Sequence, residues 1–435
     1  MRAGRIVLGL LVILILCGGA FFFWASWPEI AAIQPPAKTS FDPAAVKRGG
    51  ELVAIGNCIT CHTRSDGKPL AGGRALTTPF GRIYATNITP DPDTGIGRWS
   101  QEAFDRAMRR GVDRRGEHLY PAFPYDHFTQ LSENDLKAIY AYLMTREPVQ
   151  ALMPANELPF PLNLRVTVAA WKLLFLRTGT YRSDPVHDVE WNHGAYLANS
   201  LAHCGACHTP RNFLAAEERG DAFGGGSAEG WYAPALNAAS PAPVPWTKDS
   251  LYTYLRHGFE AQHGSPTGPM REVVASLAQV PESDVRAIAT YVASLAPPNP
   301  DRQRRAEALL RKLGQPETVG AALPAPPNAG AAIFAGACAV CHSPTRSSGS
   351  AEGINLALSS AVNGPDPRNA IRVIIGGIHQ ADTEPGPLMP DFGGAFTDAQ
   401  IADLLNYVRT RFAGQPTWPD LLDHIRRIRQ GQDNS

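Results

Sequence analysis

The chain has 435 residues, enough for about three domains of ordinary size. Its 40 lysines and arginines balance 40 aspartates and glutamates, so the formal net charge is zero. This balance excludes a strongly basic surface of the kind that binds nucleic acid, and we expect no nucleic-acid partner.

The N-terminus carries an uncharged apolar segment. Two arginines precede the 19-residue run from Ile6 to Trp24, which is near the length that spans a bilayer. Trp27 follows at the place of an interfacial aromatic belt, and the positive-inside rule puts the bulk of the chain outside the cytoplasm. We therefore expect residues 1–27 to form an uncleaved single-pass anchor in the inner membrane, with the remaining chain in the periplasm. A cleaved signal peptide with its weak site at Ala31-Ala32 is the alternative.

Three copies of one motif, Cys-X-X-Cys-His, occupy residues 58–62, 204–208 and 338–342. Two thiols three positions apart on a helical turn reach the two vinyl groups of one porphyrin, and the next histidine binds the iron. Structural zinc is the alternative, but it takes four ligands from two paired knuckles, and these three widely separated copies do not pair. We predict three covalently bound haem c groups and a role in electron transfer.

Nine residues form these predicted attachment sites. The thioether-forming cysteines are Cys58, Cys61, Cys204, Cys207, Cys338 and Cys341. The proximal iron ligands are His62, His208 and His342. The six cysteines leave one of the seven in the chain unused, so no disulfide framework is expected.

The motifs belong to three repeats of one plan. Each repeat opens with a short helix that leads into the motif, and it closes with an amphipathic helix, at residues 131–143, 280–292 and 396–408. A tyrosine recurs at one place in the closing helices, where we expect it to pack on the opening helix: Tyr142, Tyr291 and Tyr407. This plan predicts an all-α fold of three tandem class I cytochrome c domains after an N-terminal transmembrane helix.

The predicted boundaries follow from the repeats. They are domain 1 at 42–145, a linker with its own helix at 146–190, domain 2 at 191–296, a second linker at 297–327, domain 3 at 328–413 and a C-terminal tail at 414–435.

The second axial ligand of each iron is predicted from position. Met270 lies 62 residues after His208, and Met389 lies 47 residues after His342. Both methionines stand in Gly/Pro loops just before a closing helix, where a class I cytochrome places its distal ligand. We predict that Met270 and Met389 bind iron, which raises the potential of these two haems relative to histidine ligation.

The first repeat departs from this pattern. The corresponding place, 61 residues after His62, is Phe123, which cannot bind iron. We predict His127 as the distal ligand, which makes a bis-histidine haem of lower potential. His118 and a five-coordinate iron are the alternatives. An open iron would allow a haem peroxidase, but only Asp126 and these two histidines stand near enough in sequence to support acid–base chemistry.

From about residue 45 to 412 the chain resembles the triple-haem cytochrome c subunits of bacterial membrane-bound dehydrogenases. The most specific stretches are 78–99, with Thr-Pro-Phe-Gly and Asn-Ile-Thr-Pro-Asp, and 204–212, which ends Thr-Pro-Arg-Asn. The resemblance implies that a partner dehydrogenase subunit oxidises the substrate. It also implies that the haems of this chain pass the electrons to ubiquinone or to a terminal oxidase at the membrane.

The loop at 122–128 indicates a branch of this family. Cytochromes that serve quinoprotein alcohol dehydrogenases or flavin-dependent gluconate-type dehydrogenases usually have methionine where Phe123 stands. The form in this chain is similar to the branch found beside molybdenum hydroxylases. The resemblance therefore implies a molybdopterin catalytic subunit and an iron–sulfur subunit as partners, with a quinoprotein or flavoprotein dehydrogenase as the alternative.

Overall fold

The computed structural model describes residues 2–313, 328–342, 354–378 and 389–432. The chain divides into two compact units, 1–182 and 183–435, and the boundary falls inside the predicted linker 146–190. The second half of the predicted linker 297–327 lies outside the described residues, as do parts of predicted domain 3 and the end of the tail.

The described part of the first unit contains helices and one hairpin. The helices are α1 (Arg2–Ala25), α2 (Pro43–Ile55), α3 (Cys58–Cys61), α4 (Gln101–Arg110), α5 (Tyr125–Phe128), α6 (Glu133–Met144) and α7 (Thr167–Phe175). The strands are β1 (Ala75–Thr78) and β2 (Gly81–Tyr84), which pair antiparallel.

Over its described residues, the second unit repeats the helical part of this plan twice and contains one hairpin. Its helices are α8 (Val189–Asn199), α9 (Gly205–His208), α10 (Lys248–His257), α11 (Pro269–Leu277), α12 (Glu282–Ser294), α13 (Pro300–Leu313), α14 (Ala329–Ile333), α15 (Ala339–His342), α16 (Ser360–Asn363), α17 (Arg368–Gly376), α18 (Asp398–Val408) and α19 (Leu421–Arg429). A π-helical turn, Phe334–Cys338, joins α14 to α15. Its strands, β3 (Gly226–Ala228) and β4 (Trp231–Ala233), form an antiparallel pair.

Each repeat is built around one crossing of its opening and closing helices: α2 on α6, α8 on α12, and α14 on α18. A glycine lies at every crossing. A Cβ atom on Gly49, Gly194 or Gly330 would lie 1.9, 1.8 or 2.1 Å from a carbonyl oxygen of the closing helix. Only a residue without a side chain allows two backbones this close. The three repeated tyrosines of the closing helices lie beside the same glycines, as their shared position predicted.

The helix starts follow ordinary capping rules. Helix α6 begins after Ser132, whose side chain accepts a hydrogen bond from the Asp135 amide at 3.1 Å. Helix α18 begins after Thr397, which makes a reciprocal capping box with Gln400. These caps set where the closing helices begin, and so they set which face of each helix meets its opening helix.

The expected all-α fold was wrong, because two hairpins are present among the described residues. In the second hairpin, Glu229 and Gly230 form the turn with φ of 49° and 77°, the two positive values that a type I′ turn requires. The strands are only three or four residues long. So short a segment shows too little apolar alternation to be recognised in a sequence.

The expected N-terminal membrane anchor was also wrong. Within the described residues, none of the helices combines the length and the apolarity needed to cross a bilayer. Trp27, expected at a membrane interface, instead packs against protein, with the guanidinium groups of Arg106 and Arg110 at 6.0 and 5.7 Å from its ring. The inner-membrane placement that rested on this anchor is corrected with it.

Candidate haem sites

The proximal imidazole is held in the same way in all three motifs. Nδ1 of each histidine faces a backbone carbonyl oxygen: His62 with Thr86 at 2.6 Å, His208 with Pro234 at 2.7 Å, and His342 with Ile354 at 3.2 Å. A carbonyl oxygen can only accept, so Nδ1 carries the hydrogen and Nε2 keeps a lone pair for a metal. Desolvation lowers the pKa of all three imidazoles, which favours the neutral form that binds iron.

The two hairpins supply the first two of these carbonyl groups. Thr86 follows β2 by two residues, and Pro234 follows β4 directly. Backbone hydrogen bonds also hold these two histidines. The amides of Gly72 and Gly225 donate to the carbonyl oxygens of His62 and His208 at 2.7 and 2.8 Å. Each hairpin therefore orients the ring that would bind iron.

The cysteines of the first two motifs lie on short helices, or directly before one, and each short helix follows a sharp turn. Asn57 precedes Cys58 with φ of 49°, and His203 precedes Cys204 with φ of 38°, both in the left-handed region. Burial raises the pKa of the Cys58 and Cys204 thiols to about 12, so the free thiols are neutral. The third motif is reached differently, through the π-helical turn that ends at Cys338.

Two arginines hold the motif backbone at the same place in the first and second repeats. A guanidinium N–H of Arg74 donates to the carbonyl oxygen of Thr60 at 2.8 Å, and one of Arg211 donates to that of Ala206 at 2.8 Å. Thr60 and Ala206 are the third residues of their motifs. The arginines come from different sequence positions, 12 residues and 3 residues after the motif histidine, so sequence reasoning missed their shared role.

In the second unit, the two motifs open into one cavity of about 380 Å³. Aliphatic side chains from both repeats line it, among them Leu251 and Leu277 from the second and Ile374 and Leu404 from the third. Seven of the eight predicted site residues of this unit lie on its wall: Cys204, Cys207, His208, Met270, Cys338, His342 and Met389. The eighth, Cys341, is exposed and does not line the cavity. Paired thiols, a neutral imidazole with its Nε2 available, and an apolar cavity fit covalently bound haem.

The two predicted methionine ligands lie on different kinds of secondary structure. Met270 is the second residue of α11, and the preceding Gly268 lies against the indole of Trp231, where a Cβ atom would come within 2.5 Å. Met389 forms an isolated antiparallel bridge with Ile378. Both reach the cavity that His208 and His342 line, although their binding to iron stays a prediction.

His118, the alternative distal ligand in the first repeat, has a hydrogen-bond partner at each of its two ring nitrogens. Nε2 of His118 lies 2.8 Å from the Ala25 carbonyl oxygen, and its Nδ1 lies 2.9 Å from the ammonium group of Lys172. Both ring nitrogens are therefore used within the protein, which leaves none for iron. His118 is buried, and its two contacts connect it to α1 and α7.

Phe123 and His127 lie on or beside the short helix α5. The Phe123 ring packs against Phe128, with ring centroids 5.3 Å apart. His127 is buried on α5, and α5 packs on α4. The ligation of iron by His127 stays a prediction.

The chain is similar in sequence to known cytochromes. The cytochrome c family model matches residues 46–147 and 327–411. A nicotinate dehydrogenase subunit from Pseudomonas putida is 44% identical over 412 residues, which cover 92% of this chain but only 33% of that protein. The chain thus spans about a third of the length of this relative.

Two further relatives match over most of both chains. The fructose dehydrogenase cytochrome subunit of Gluconobacter japonicus is 35% identical over 422 residues, covering 91% of this chain and 85% of that protein. The cytochrome c subunit of alcohol dehydrogenase (quinone) from Gluconobacter oxydans is 34% identical, covering 85% and 78%.

Proposed function

This chain belongs to the family of cytochrome c subunits of dehydrogenase complexes, and we propose that it carries electrons through three covalent haems from a molybdenum hydroxylase-type dehydrogenase to a quinone or a terminal oxidase. Electron transfer and covalently bound haem c follow from the family itself. The number of haems, the type of dehydrogenase, its iron–sulfur subunit and the acceptor are the proposed parts.

The observation that carries three haems is the repeated orientation of the proximal histidine. Each motif histidine points its Nδ1 at a carbonyl oxygen, so all three present Nε2 in the tautomer that binds iron. A haem supplies a one-electron couple once bound. The chain holds the ring, limits the access of water and sets the potential through the distal ligand. The predicted distal ligands are His127, Met270 and Met389.

Two observations support the type of partner. The chain is 44% identical to a relative named as a nicotinate dehydrogenase subunit, against 34–35% for the fructose and alcohol dehydrogenase subunits. The loop at 122–128 also has Phe123 where the alcohol branch has methionine. Nicotinate is an N-heterocycle, so the proposed substrate class is an N-heterocycle or an aldehyde, oxidised on another subunit.

Metal and cofactor analysis of the complex tests this proposal. The complex is purified through this chain from its native cells, and covalent haem, molybdenum, non-haem iron, flavin and pyrroloquinoline quinone are measured. We expect three haems per chain together with molybdenum and extra non-haem iron. Flavin or pyrroloquinoline quinone without molybdenum would assign the chain to the second candidate, a flavoprotein or quinoprotein dehydrogenase, which the fructose and alcohol relatives favour.

A further inference from the structure

A buried imidazole lies in the mostly apolar wall of the cavity shared by the second and third motifs. The side chains of Trp246 and His263 both line this cavity, together with His208 and His342. The His263 side chain is only 1% exposed. It is not one of the predicted iron ligands, and the electron-transfer role described above does not use it.

His263 lies between two hydrogen-bond acceptors. Its Nδ1 lies 2.6 Å from a carboxylate oxygen of Glu260, and its Nε2 lies 3.2 Å from the carbonyl oxygen of Val244. A carbonyl oxygen needs a donor, so Nε2 carries a hydrogen. The 2.6 Å contact between Nδ1 and the Glu260 carboxylate oxygen is a hydrogen bond, so a second proton lies between these two atoms. Glu260 and His263 together therefore carry one positive and one negative charge, or none, and their net charge is zero.

The groups packed around this pair favour its charged form. The imidazole is stacked on the Trp246 indole, with ring centroids 3.5 Å apart and planes 16° apart. The Gln262 amide donates to the same Glu260 oxygen at 2.9 Å. Burial by itself raises the pKa of Glu260, but the hydrogen bonds from His263 and Gln262 outweigh it, and the pKa is lowered.

Other elements bring few further charges to the pair within the described residues. From α10, Tyr254 packs edge-on against Trp246, and burial raises the pKa of its hydroxyl, so it stays neutral. From α13, the Arg302 guanidinium donates to the carbonyl oxygens of Ser240 and Ala242, just before Val244. Arg302 keeps its charge, so the group able to change protonation next to the ring is the Glu260 carboxylate.

We propose that Glu260 and His263 form a redox-linked proton site in the wall of this cavity. The Glu260 carboxylate would bind one proton from water for each electron that the dehydrogenase partner delivers to a haem held there. The pair then consists of a carboxylic acid and an imidazolium, and its added positive charge balances the added electron. Reoxidation releases the proton to water. The oxidised haem would carry one more positive charge than the reduced haem, so reduction would remove a charge that keeps the carboxylate ionised, and the low dielectric of an apolar cavity strengthens this effect. The inference rests on the proposed placement of haem in this cavity.

The pH dependence of the reduction potentials tests the proposal. The potentials of the fully loaded chain are measured by spectroelectrochemistry from about pH 3 to 8, because the pKa of Glu260 is lowered in the folded chain and its carboxylate takes up a proton at the acidic end of this range. We expect the potential of at least one methionine-type haem to fall as the pH rises, with a limiting slope of a tenfold change in the reduction equilibrium per pH unit, or 59 mV for one electron. The Glu260→Gln variant keeps a hydrogen-bond acceptor but cannot take up the proton, so we expect this slope to be lost.

A second histidine–carboxylate pair offers a matched control. Nε2 of His193 lies 2.6 Å from a carboxylate oxygen of Asp284, and Asp284 is buried, but neither residue lines the cavity. We expect Asp284→Asn to keep the wild-type slope. Equal slopes in wild type and Glu260→Gln would overturn the proposal, as would a slope that Asp284→Asn also removes.

An infrared measurement covers the case in which Glu260→Gln does not fold. The reduced-minus-oxidised spectrum of the wild-type chain should show the carbonyl band of a protonated carboxylic acid, and its absence overturns the proposal. Haem content separates this result from a failure of the proposed function. A chain with three covalent haems and pH-independent potentials contradicts only the proton site, whereas a chain with fewer haems contradicts the placement on which it rests.

Discussion

Lys172 lies in an otherwise apolar helix, yet its ammonium group is buried. It donates to the carbonyl oxygens of Arg110 and Gly111 at 2.7 and 2.5 Å, and to Nδ1 of His118 at 2.9 Å. Three donors thus meet three acceptors, the condition under which a charge can be buried. His118 passes the connection on by donating from Nε2 to the Ala25 carbonyl oxygen. The two residues tie α1, α4 and α7 together.

The hydrogen bonds of His118 and Lys172 lead to different predictions for His118 and His127, the two histidines that the sequence leaves as candidate distal ligands of the first haem. We expect His127→Ala to convert the first haem from a six-coordinate, low-spin form to a high-spin form, because it removes the predicted distal ligand. We expect His118→Gln to leave that spectrum unchanged. It should instead lower the free energy of unfolding by about 1–3 kcal/mol, because a buried ammonium loses an acceptor.

Ferric absorption and electron paramagnetic resonance spectra check the ligand, and denaturant unfolding checks the stability. A low-spin first haem in His127→Ala would exclude His127 as the ligand.

At the scale of elements, the close helix crossings position each motif. The Cβ atom of an alanine at 194 would lie 1.8 Å from the Ala287 carbonyl oxygen, so α8 and α12 would have to move apart. We expect Gly194→Ala to lower the free energy of unfolding of the second unit by about 1–3 kcal/mol or more. Gly220→Ala is the control, because a Cβ atom there meets nothing within 4 Å.

Denaturant unfolding of the two variants, followed by far-ultraviolet circular dichroism, measures the difference. Equal stabilities for both variants would mean that the crossing relaxes at little cost.

The loop after the first hairpin is held by one carboxylate. Asp91 accepts hydrogen bonds from the amide and the hydroxyl of Thr94, each at 2.7 Å, and from the Asp93 amide at 3.2 Å. Burial by itself raises the pKa of Asp91, but these hydrogen bonds outweigh it, and the pKa is lowered below its ordinary value. The loop is therefore most stable when Asp91 is ionised.

The pH dependence of this contribution follows from the sign of the shift. A carboxyl group with a lowered pKa in the folded state stabilises the protein above its unfolded pKa of about 3.9. That stabilisation is lost as the pH falls through the folded value. We expect Asp91→Asn to cost about 1–3 kcal/mol near neutral pH and progressively less below about pH 4. Thermal unfolding of both proteins over this range is the measurement, and a difference that does not change with pH would contradict the assignment.

At the scale of the whole molecule, the shared cavity would make the proposed second and third haem sites interdependent. Residues of both repeats form its wall, so the haem of one site would fill space beside the other. We expect the double variant Cys338→Ala/Cys341→Ala to retain two covalent haems. We also expect the potential of the second haem to fall, because water replaces an apolar neighbour and favours the charged, oxidised iron. Mass spectrometry and a redox titration measure both effects, and an unchanged second potential would argue against a shared cavity.

Much of the site could be predicted because its signals are local. The cysteine pairs and their histidines lie within five residues of each other, and the closing helices show their apolar spacing over about three turns. Two elements could not be predicted in this way. The hairpins have strands too short to show alternation. The apolar run of α1 favoured a spanning helix, but none of the described helices combines the length and the apolarity needed to cross a bilayer.

The sequence by itself determined the chemistry of attachment, because a thioether-forming pair and its histidine need only one turn of helix. The tertiary structure alone decided what surrounds each iron site. The carbonyl groups that orient His62 and His208 come from 24 and 26 residues away, and backbone carbonyls have no sequence signature. The tertiary structure likewise decided the hydrogen-bond partners of His118 and His263. Whether an imidazole is a ligand, a structural bridge or a proton site depends on which donors and acceptors the fold brings to its two nitrogens.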